Sequence, residues 1–266
     1  MSGEPPVTAY ASGVTVDPAA LAWADHDAVL FDLDGVVTPT AEVHMRAWAE
    51  MFNAFLADDT VTGGGDRSPY TDDDYFAHVD GKPRFDGVRD FLRARGIDLP
   101  EGGPEDSADV QTVHGLGNRK NDAFNAVLER DGVTAYPGSV LLLDHLRDLG
   151  LPLAVVSSSA NAPSVLEAAG LADRFETVVS GAVAAELGLP GKPAPDTFVH
   201  AATVLGTTPE RAVVLEDAVS GVRAGASGGF ALVIGVDRGA GAAVLTDAGA
   251  HLVVADLAEL VPGEDR

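Results

Sequence analysis

Carboxylates, hydroxyls and one lysine recur at a few places in this 266-residue chain, each beside an apolar run or just ahead of a helical pattern. Asp32-Leu33-Asp34-Gly35 closes the first such run, Ser157-Ser158-Ser159 the second, and Glu216-Asp217 the fourth, while Gly191-Lys192-Pro193-Ala194-Pro195-Asp196 precedes a helical stretch. Carboxylates gathered at one point repel one another unless a cation is present. An all-oxygen donor set without cysteine or clustered histidine favours a hard ion such as Mg²⁺. A lysine and hydroxyls beside that ion suit a phosphoryl group, because the ammonium is a compact point charge and serine donates to phosphate oxygens.

These groups meet only if the apolar runs are parallel strands of one sheet. Continuous apolar runs begin at residue 28 and recur at 153–156, 177–179, 212–215, 231–236 and 252–254, as buried parallel strands do. Helical stretches at 139–149, 163–169, 196–205 and 218–226 separate several of them. The alternation predicts an α/β fold, a Rossmann-like parallel sheet flanked by helices, with its ligand beyond the C-terminal strand ends. Residues 39–135 have no long β-branched run and carry helical patterns at 41–56, 87–95 and 117–130, with a Gly- and Asp-rich loop at 58–74. They read as a helical domain inserted after the first strand, leaving 26–38 and 136–266 as the core domain. Residues 1–25, a mixture of Pro, Gly, Ser and Ala, read as a loosely packed N-terminal extension.

Composition narrows the partners. With 41 acidic against 17 basic residues and a formal charge of -24, the surface field repels polyanions, so neither nucleic acid nor an anionic membrane is an expected partner. The absence of cysteine removes disulfides and thiolate metal sites. The first basic residue is Arg46 and no apolar run is long enough to span a bilayer, which leads us to expect a cytoplasmic, monomeric protein. Neither a complete G-x-G-x-x-G nor a Walker lysine motif, H-E-x-x-H or G-x-S-x-G is present.

The strings F-D-L-D-G-V-V-T, V-V-S-S-S, G-K-P-A-P-D and L-E-D-A-x-x-G, in this order, resemble the four motifs of the haloacid dehalogenase superfamily from about residue 28 to the C-terminus. The resemblance implies that Asp32 is a nucleophile forming an aspartyl-phosphate, and that Asp34 is the general acid and base. It further implies Mg²⁺ held by Asp32, Asp34 through its carbonyl, and Asp217, with Glu216 as a ligand or behind one. Ser157, Ser158 and Lys192 would bind the phosphate. Protonation of the leaving oxygen by Asp34 calls for a pKa raised by burial or by neighbouring carboxylates.

The inserted segment narrows the choice. T-A-E-V-H-M-R-A-W after the first motif, D-G-K-P-R at 80–84 and N-R-K-N-D at 118–122 are similar to the cap of the β-phosphoglucomutase-like subfamily. That resemblance implies that Thr40, His44, Trp48, Gly81, Lys82, Arg84 and Lys120, with Ser159 and Asn161, hold a small sugar phosphate, Arg84 gripping the phosphate that is not reacting. The implied reaction converts β-D-glucose 1-phosphate to D-glucose 6-phosphate, with glucose 1,6-bisphosphate as intermediate. A sugar-phosphate phosphatase, in which water takes the group from Asp32, and a non-catalytic sugar-phosphate-binding module are the alternatives. Two family lysines are replaced, by Ala160 and Asp80. Bland roles compete at several positions: Trp48 as cap core, His44 as a packing residue, Asn161 as a helix start. Because Lys82, Lys120 and Lys192 are the chain's three lysines, the acidic average is expected to hide a cationic pocket.

Overall fold

The computed structural model describes residues 18–58 and 64–263. Among these, strands β1 (Ala28–Phe31), β2 (Leu153–Val156), β3 (Thr177–Val179), β4 (Ala212–Glu216), β5 (Leu232–Val236) and β6 (Leu252–Val254) form one sheet in the order β3-β2-β1-β4-β5-β6. Every pairing is parallel. β1 lies at the centre, Val29 standing in register with Leu153 on one side and Val213 on the other. Its four residues are fully buried because alternate side chains feed two cores: Val29 and Phe31 pack on one face of the sheet, Ala28 and Leu30 on the other. The chain leaves β1 towards β2 and β3, then returns to β4 on β1's opposite side. That reversal opens a crevice at the C-terminal ends of β1 and β4, where Asp32, Glu216 and Asp217 stand.

Between β1 and β2 the chain forms α1 (Thr40–Leu56), the single turn α2 (Asp72–Asp74), α3 (Arg84–Arg95) and α4 (Val113–Asp131). α1 presents Trp48, Met51, Phe52 and Phe55 on one stripe, which pack with Phe91 of α3 and Leu116 of α4 in a core separate from those of the sheet. The sheet itself is covered by α5 (Pro137–Asp148) and α6 (Ala162–Ala168) on one face, and by α8 (Asp196–Val204), α9 (Val219–Ser227) and α10 (Ala242–Ala248) on the other, with α7 (Gly181–Leu187) after β3. No helix among the described residues is long and apolar enough to cross a membrane.

Several boundaries differ from the sequence reading. α4 begins four residues earlier, since Thr112 caps it, its hydroxyl accepting from the Gly115 amide at 2.9 Å. The glycines at 115 and 117 conceal that start, and they are there for contact: a Cβ on Gly117 would meet the Phe85 ring. The loop expected over 58–74 ends at Thr71, whose side chain forms a reciprocal capping box with Asp74, and a π-helical turn, Tyr75–Val79, follows. Residues 59–63 of that loop lie outside the described residues. α7 and α10 were not anticipated, being short and rich in alanine. The expectation of a loose arm over 1–25 fails at its C-terminal end: Trp23 is buried in the sheet's core and its indole donates to the Leu260 carbonyl at 3.3 Å. One large aromatic side chain outweighs the uninformative composition around it. Residues 1–17, the rest of that arm, lie outside the described residues.

Candidate active site

The strand ends and the helical segment enclose a cavity of about 520 Å³. Asp32, Asp34, Ser157, Ser158, Ser159, Asn161 and Asp217 line it from the sheet side, and His44, Trp48, Gly81, Lys82, Arg84 and Lys120 from the helical side. The spacing that separated these residues by up to 185 positions in the chain is thus closed by the fold.

Lys192 lies behind the cavity wall. Its buried ammonium donates to Asp32 at 2.5 Å, to Glu216 Oε1 at 2.6 Å and to the Val156 carbonyl at 3.0 Å. Burial acts to lower the lysine's pKa, but Asp32 and Glu216 overcome it and the pKa is raised. Burial pushes the Asp32 carboxyl up, with Lys192 opposing it. Glu216 is fully buried, and its other oxygen accepts from the Ala218 amide at 2.7 Å. Both of its oxygens are therefore engaged, and it does not line the cavity. Of the two places the resemblance allowed Glu216, as a ligand or behind one, its engaged oxygens favour the second, where it balances Lys192.

Asp34 sits differently. Its Oδ1 accepts from Thr40 at 2.5 Å, and its Oδ2 from Ser157 at 3.3 Å. Thr40 is itself fixed by Thr38, the two hydroxyl oxygens lying 2.7 Å apart. His44 Nε2 stands 3.3 Å from Asp34 Oδ1 but is not aligned for a hydrogen bond, and Lys120 contacts the other ring nitrogen, Nδ1. When Lys120 is charged its ammonium can only donate, so Nδ1 is then the acceptor and Nε2 carries the proton on the side of Asp34. Burial pushes the Asp34 carboxyl up, yet His44, Thr40 and Lys120 together outweigh it and hold its pKa at about 2. The expectation of a raised pKa is thus overturned: the same burial that would raise it also brings the donors close. His44 itself is lowered, first by burial and then by Lys120, with Asp34 opposing. It also stacks on Phe124, so its packing and functional places are one place. Burial, helped by Arg84 and opposed by Asp34, lowers Lys120 to about 7.

The helical side of the cavity also holds Arg84, whose guanidinium donates to Asn118 at 3.2 Å and lies over the Phe85 ring, leaving Nε buried without a partner. Asn161, at the N-cap of α6, donates from its side chain across the cavity to Asn121 at 2.9 Å. Ser159 Oγ accepts from the Asn161 amide at 3.2 Å. Trp48 is 4 % exposed and stacks on Phe52, and it also faces Lys120 at 5.1 Å, so it serves as core and wall together.

Three expectations are corrected here. The Ser158 hydroxyl is committed to the Gly81 carbonyl at 2.8 Å, tying the sheet side to the helical side. Lys82 is paired with Asp90 at 2.9 Å. The cavity is not simply cationic: Asp32, Asp34, Asp80 and Asp217 face it, while Lys192 and Lys82 are matched by carboxylates. Asp80 is lifted to about 7 by burial and by Glu216, with Tyr75, Lys192 and Lys82 opposing. Ser220, which no motif reading singled out, donates to the Asp80 carbonyl at 2.9 Å and is the counterpart of Ser158. Its signal was faint, a serine within the fourth motif's A-x-x-G spacer.

The donor set fits a hard cation. Asp32, Asp34 and Asp217 all line the cavity with carboxylate oxygens, and burial with Asp80, Glu216 and Asp32 pushes Asp217 well up, which marks crowded negative charge. Among the described residues no group of three or more such side chains is placed to hold a metal ion by itself, so water and phosphate oxygens would have to complete a Mg²⁺ shell here.

A doubly wound parallel sheet with an aspartate at its switch point, a buried lysine beside it and further polar groups around the same cavity suits phosphoryl transfer. The comparisons agree. A model of the haloacid dehalogenase-like hydrolases matches residues 26–229. The chain is 49% identical over 239 residues to a β-phosphoglucomutase of Mycobacterium tuberculosis, covering 88% of this chain and 91% of that one. It is 42% identical over 250 residues to an uncharacterized glycosyl hydrolase of the same organism, covering 94% of this chain but 18% of that protein. A solved β-phosphoglucomutase of Clostridium difficile shares the fold, with a TM-score of 0.71 at 23% identity over 88% of this chain and 93% of that one. The chain belongs to the haloacid dehalogenase family, in its β-phosphoglucomutase-like branch, and is an enzyme, a phosphomutase or a phosphatase. The non-catalytic alternative is set aside.

Proposed function

We propose that this enzyme is a Mg²⁺-dependent β-phosphoglucomutase, interconverting β-D-glucose 1-phosphate and D-glucose 6-phosphate through a phosphoryl group carried on Asp32. The observation that carries the reading is one cavity in which Asp32, backed by Lys192, and Asp34, with His44 and Lys120 beside it, share the wall with Arg84 and the Asn121–Asn161 pair. A bisphosphate needs a second set of polar groups besides those around Asp32, because either phosphate must reach Asp32. The relative at 49% identity carries the same name.

The residues divide the work as follows. Mg²⁺, held by Asp32, Asp217 and the Asp34 carbonyl, would supply positive charge to offset repulsion between the carboxylate and the phosphate. Lys192 adds to this from behind Asp32, and Glu216 keeps it placed and charged. When the sugar hydroxyl attacks phospho-Asp32, its oxygen–phosphorus bond forms as the acyl-phosphate bond breaks, and the hydroxyl proton passes to Asp34. A carboxyl held at about 2 is ionised and so open to the proton, but it is a weak base, and the acid and base roles call for its pKa to rise once substrate is bound. In the return step the newly protonated Asp34 gives the proton to the oxygen leaving the other phosphate as Asp32 takes it. Thr40 and His44 orient Asp34 throughout, and Arg84 and Lys120 hold the idle phosphate.

Asp80 and Ala160 favour the phosphatase as a second reading: Ala160 leaves no charge beside Ser159 and Asn161, and Asp80 adds a carboxyl near Glu216 and Asp217 instead of a cation. One incubation separates the two: β-glucose 1-phosphate with Mg²⁺ and a trace of glucose 1,6-bisphosphate, read with glucose-6-phosphate dehydrogenase and a phosphate assay. Glucose 6-phosphate without free phosphate is expected. Free phosphate without glucose 6-phosphate would overturn the mutase.

A further inference from the structure

The turn that carries the two catalytic aspartates is held from behind by residues outside all four motifs. Three consecutive carbonyls accept hydrogen bonds from other elements: Gly35 from Arg238 Nε at 2.8 Å, Val36 from Ser139 Oγ at 2.7 Å, and Val37 from the Tyr136 amide at 3.1 Å. Ser139 and Tyr136 belong to α5 and its N-cap, whereas Arg238 lies two residues beyond β5. Inside the turn, the Gly35 amide donates to the Thr38 carbonyl at 2.7 Å, which leaves Gly35 O free to face Arg238.

Arg238 is itself fixed in plane. Its guanidinium lies over the Tyr136 ring at 4.0 Å, and Nη1 donates to the Ala255 carbonyl at 3.0 Å, so Nε has one direction left. Nη2 is buried without a partner, so the ring and the two carbonyls, not solvent, set the orientation. On the other side of Gly35 stands Asp217. Gly35 has φ +94°, and a Cβ there would fall on the Asp217 carboxylate. The Gly35 peptide is therefore held between Arg238 and Asp217, one residue from Asp34 and three from Asp32.

We propose that Arg238 is a positioning residue for phosphoryl transfer: its rigid fork holds the Gly35 carbonyl, and through it keeps Asp34 and Asp217 in register with Asp32. It touches no reacting atom. What it supplies is placement, to which phosphoryl transfer is steeply sensitive, since a misplacement of about 1 Å costs on the order of a hundredfold in rate. The inference rests on Asp32 as the phosphoryl acceptor but on no particular sugar.

The test compares Arg238→Met and Arg238→Lys with the wild type. Loss of the fork should lower kcat at least tenfold in both variants with KM within about threefold, because the Arg84 end of the cavity is untouched. A lysine keeps the charge but cannot make the two bonds and the stack together, so a role in charge alone predicts that Arg238→Lys is active, and that result would overturn the proposal. So would kcat within twofold of wild type in Arg238→Met. Should Arg238→Met fail to fold, Tyr136→Leu, which leaves the guanidinium but removes its platform, decides in the same way: a fall in kcat supports the clamp and wild-type kcat overturns it. Beryllium fluoride with Mg²⁺, followed by ¹⁹F NMR, reads the site without any sugar. The wild type should give resolved bound resonances that Arg238→Lys weakens or broadens, and identical spectra would count against the clamp. Wild-type resonances that persist in Asp32→Asn would instead indict Asp32 as acceptor, which keeps the two failures distinguishable.

Discussion

Binding of a phosphorylated sugar should draw a proton into the site, and Lys120 is the group that takes it up. Its ammonium is buried between the Trp48 and Phe124 rings and beside His44, and burial lowers its pKa to about 7. A phosphate dianion placed against it favours the charged form and restores the pKa towards its ordinary value of about 10.4. The free enzyme then carries the Lys120 proton to roughly 90% at pH 6, 50% at pH 7 and 10% at pH 8, so binding takes up roughly 0.1, 0.5 and 0.9 proton respectively. Affinity should fall by up to about tenfold per pH unit above 7, where the ligand is already a dianion. The sign for stability is the reverse of a paired lysine: the folded pKa lies below the unfolded one, so the buried charge destabilises below pH 7 and that penalty shrinks as pH rises towards 10. Lys120→Met should therefore abolish the proton uptake and stabilise the free protein more at pH 6 than at pH 9. Calorimetric titration with glucose 1,6-bisphosphate in buffers of different ionisation enthalpy measures the uptake. Asp80, at about 7, titrates in the same window and is the necessary control. If uptake survives in Lys120→Met but vanishes in Asp80→Asn, the assignment to Lys120 is refuted.

Three further outcomes follow from distances already given. The Ser158 and Ser220 hydroxyls hold the carbonyls of Gly81 and Asp80, each worth about 1 kcal/mol, so the double alanine variant should shift the closed arrangement towards opening by about thirtyfold. Hydrogen exchange at residues 79–84 should rise and KM should increase more than kcat falls; unchanged exchange would dispose of the latch. Glu216→Gln removes a charge from a buried pair and should cost about 3 kcal/mol, or on the order of 6–12 °C in Tm by calorimetry. A Tm within 2 °C of wild type, a margin of about 1 kcal/mol, would show that Lys192 is neutralised elsewhere. Asp34, held at about 2 by His44, Thr40 and Lys120 against burial, has a folded pKa below its unfolded one, so its contribution of roughly 2 kcal/mol is present above pH 4 and lost as pH falls towards 2. Asp34→Asn should accordingly flatten acid unfolding in that window while slowing transfer, and an acid profile parallel to wild type would contradict the depressed pKa.

Much of the sheet side was legible because its signals are local. A buried parallel strand must be apolar on both faces, so each of the six strands announced itself as a continuous run, and the polar residues closing β1, β2 and β4 stood at the edge where ligands bind. The helical segment was harder. The start of α4 was hidden by glycines that serve the Phe85 and Val110 contacts, and the Tyr75–Val79 turn has no composition that distinguishes it from a loop. Trp23 sat in a stretch whose neighbours gave no periodicity, and only the position of Leu260, 237 residues away, explains its burial. Arg238 had no signal beyond its residue type, and Ser220 only its place in the fourth motif's spacer, since hydrogen bonding to a backbone carbonyl leaves no spacing to read.

The sequence by itself determined which chemistry is possible: the residue types at four strand and helix ends define an oxygen-ligand, phosphate-handling site, and no tertiary contact is needed to see that. The tertiary structure decided the charge state and duty of each group. Asp34 and Asp80 are carboxyls on the same cavity, yet one is held at about 2 and the other lifted to about 7, because His44, Thr40 and Lys120 surround the first while Glu216 and burial dominate the second. Glu216 and Asp217 are neighbours in the chain, yet one turns inward to Lys192 and the other faces the cavity. A pKa and a hydrogen-bond partner depend on groups within a few ångströms, and only the fold brings residue 34 to residue 120, residue 32 to residue 192, and residue 35 to residue 238.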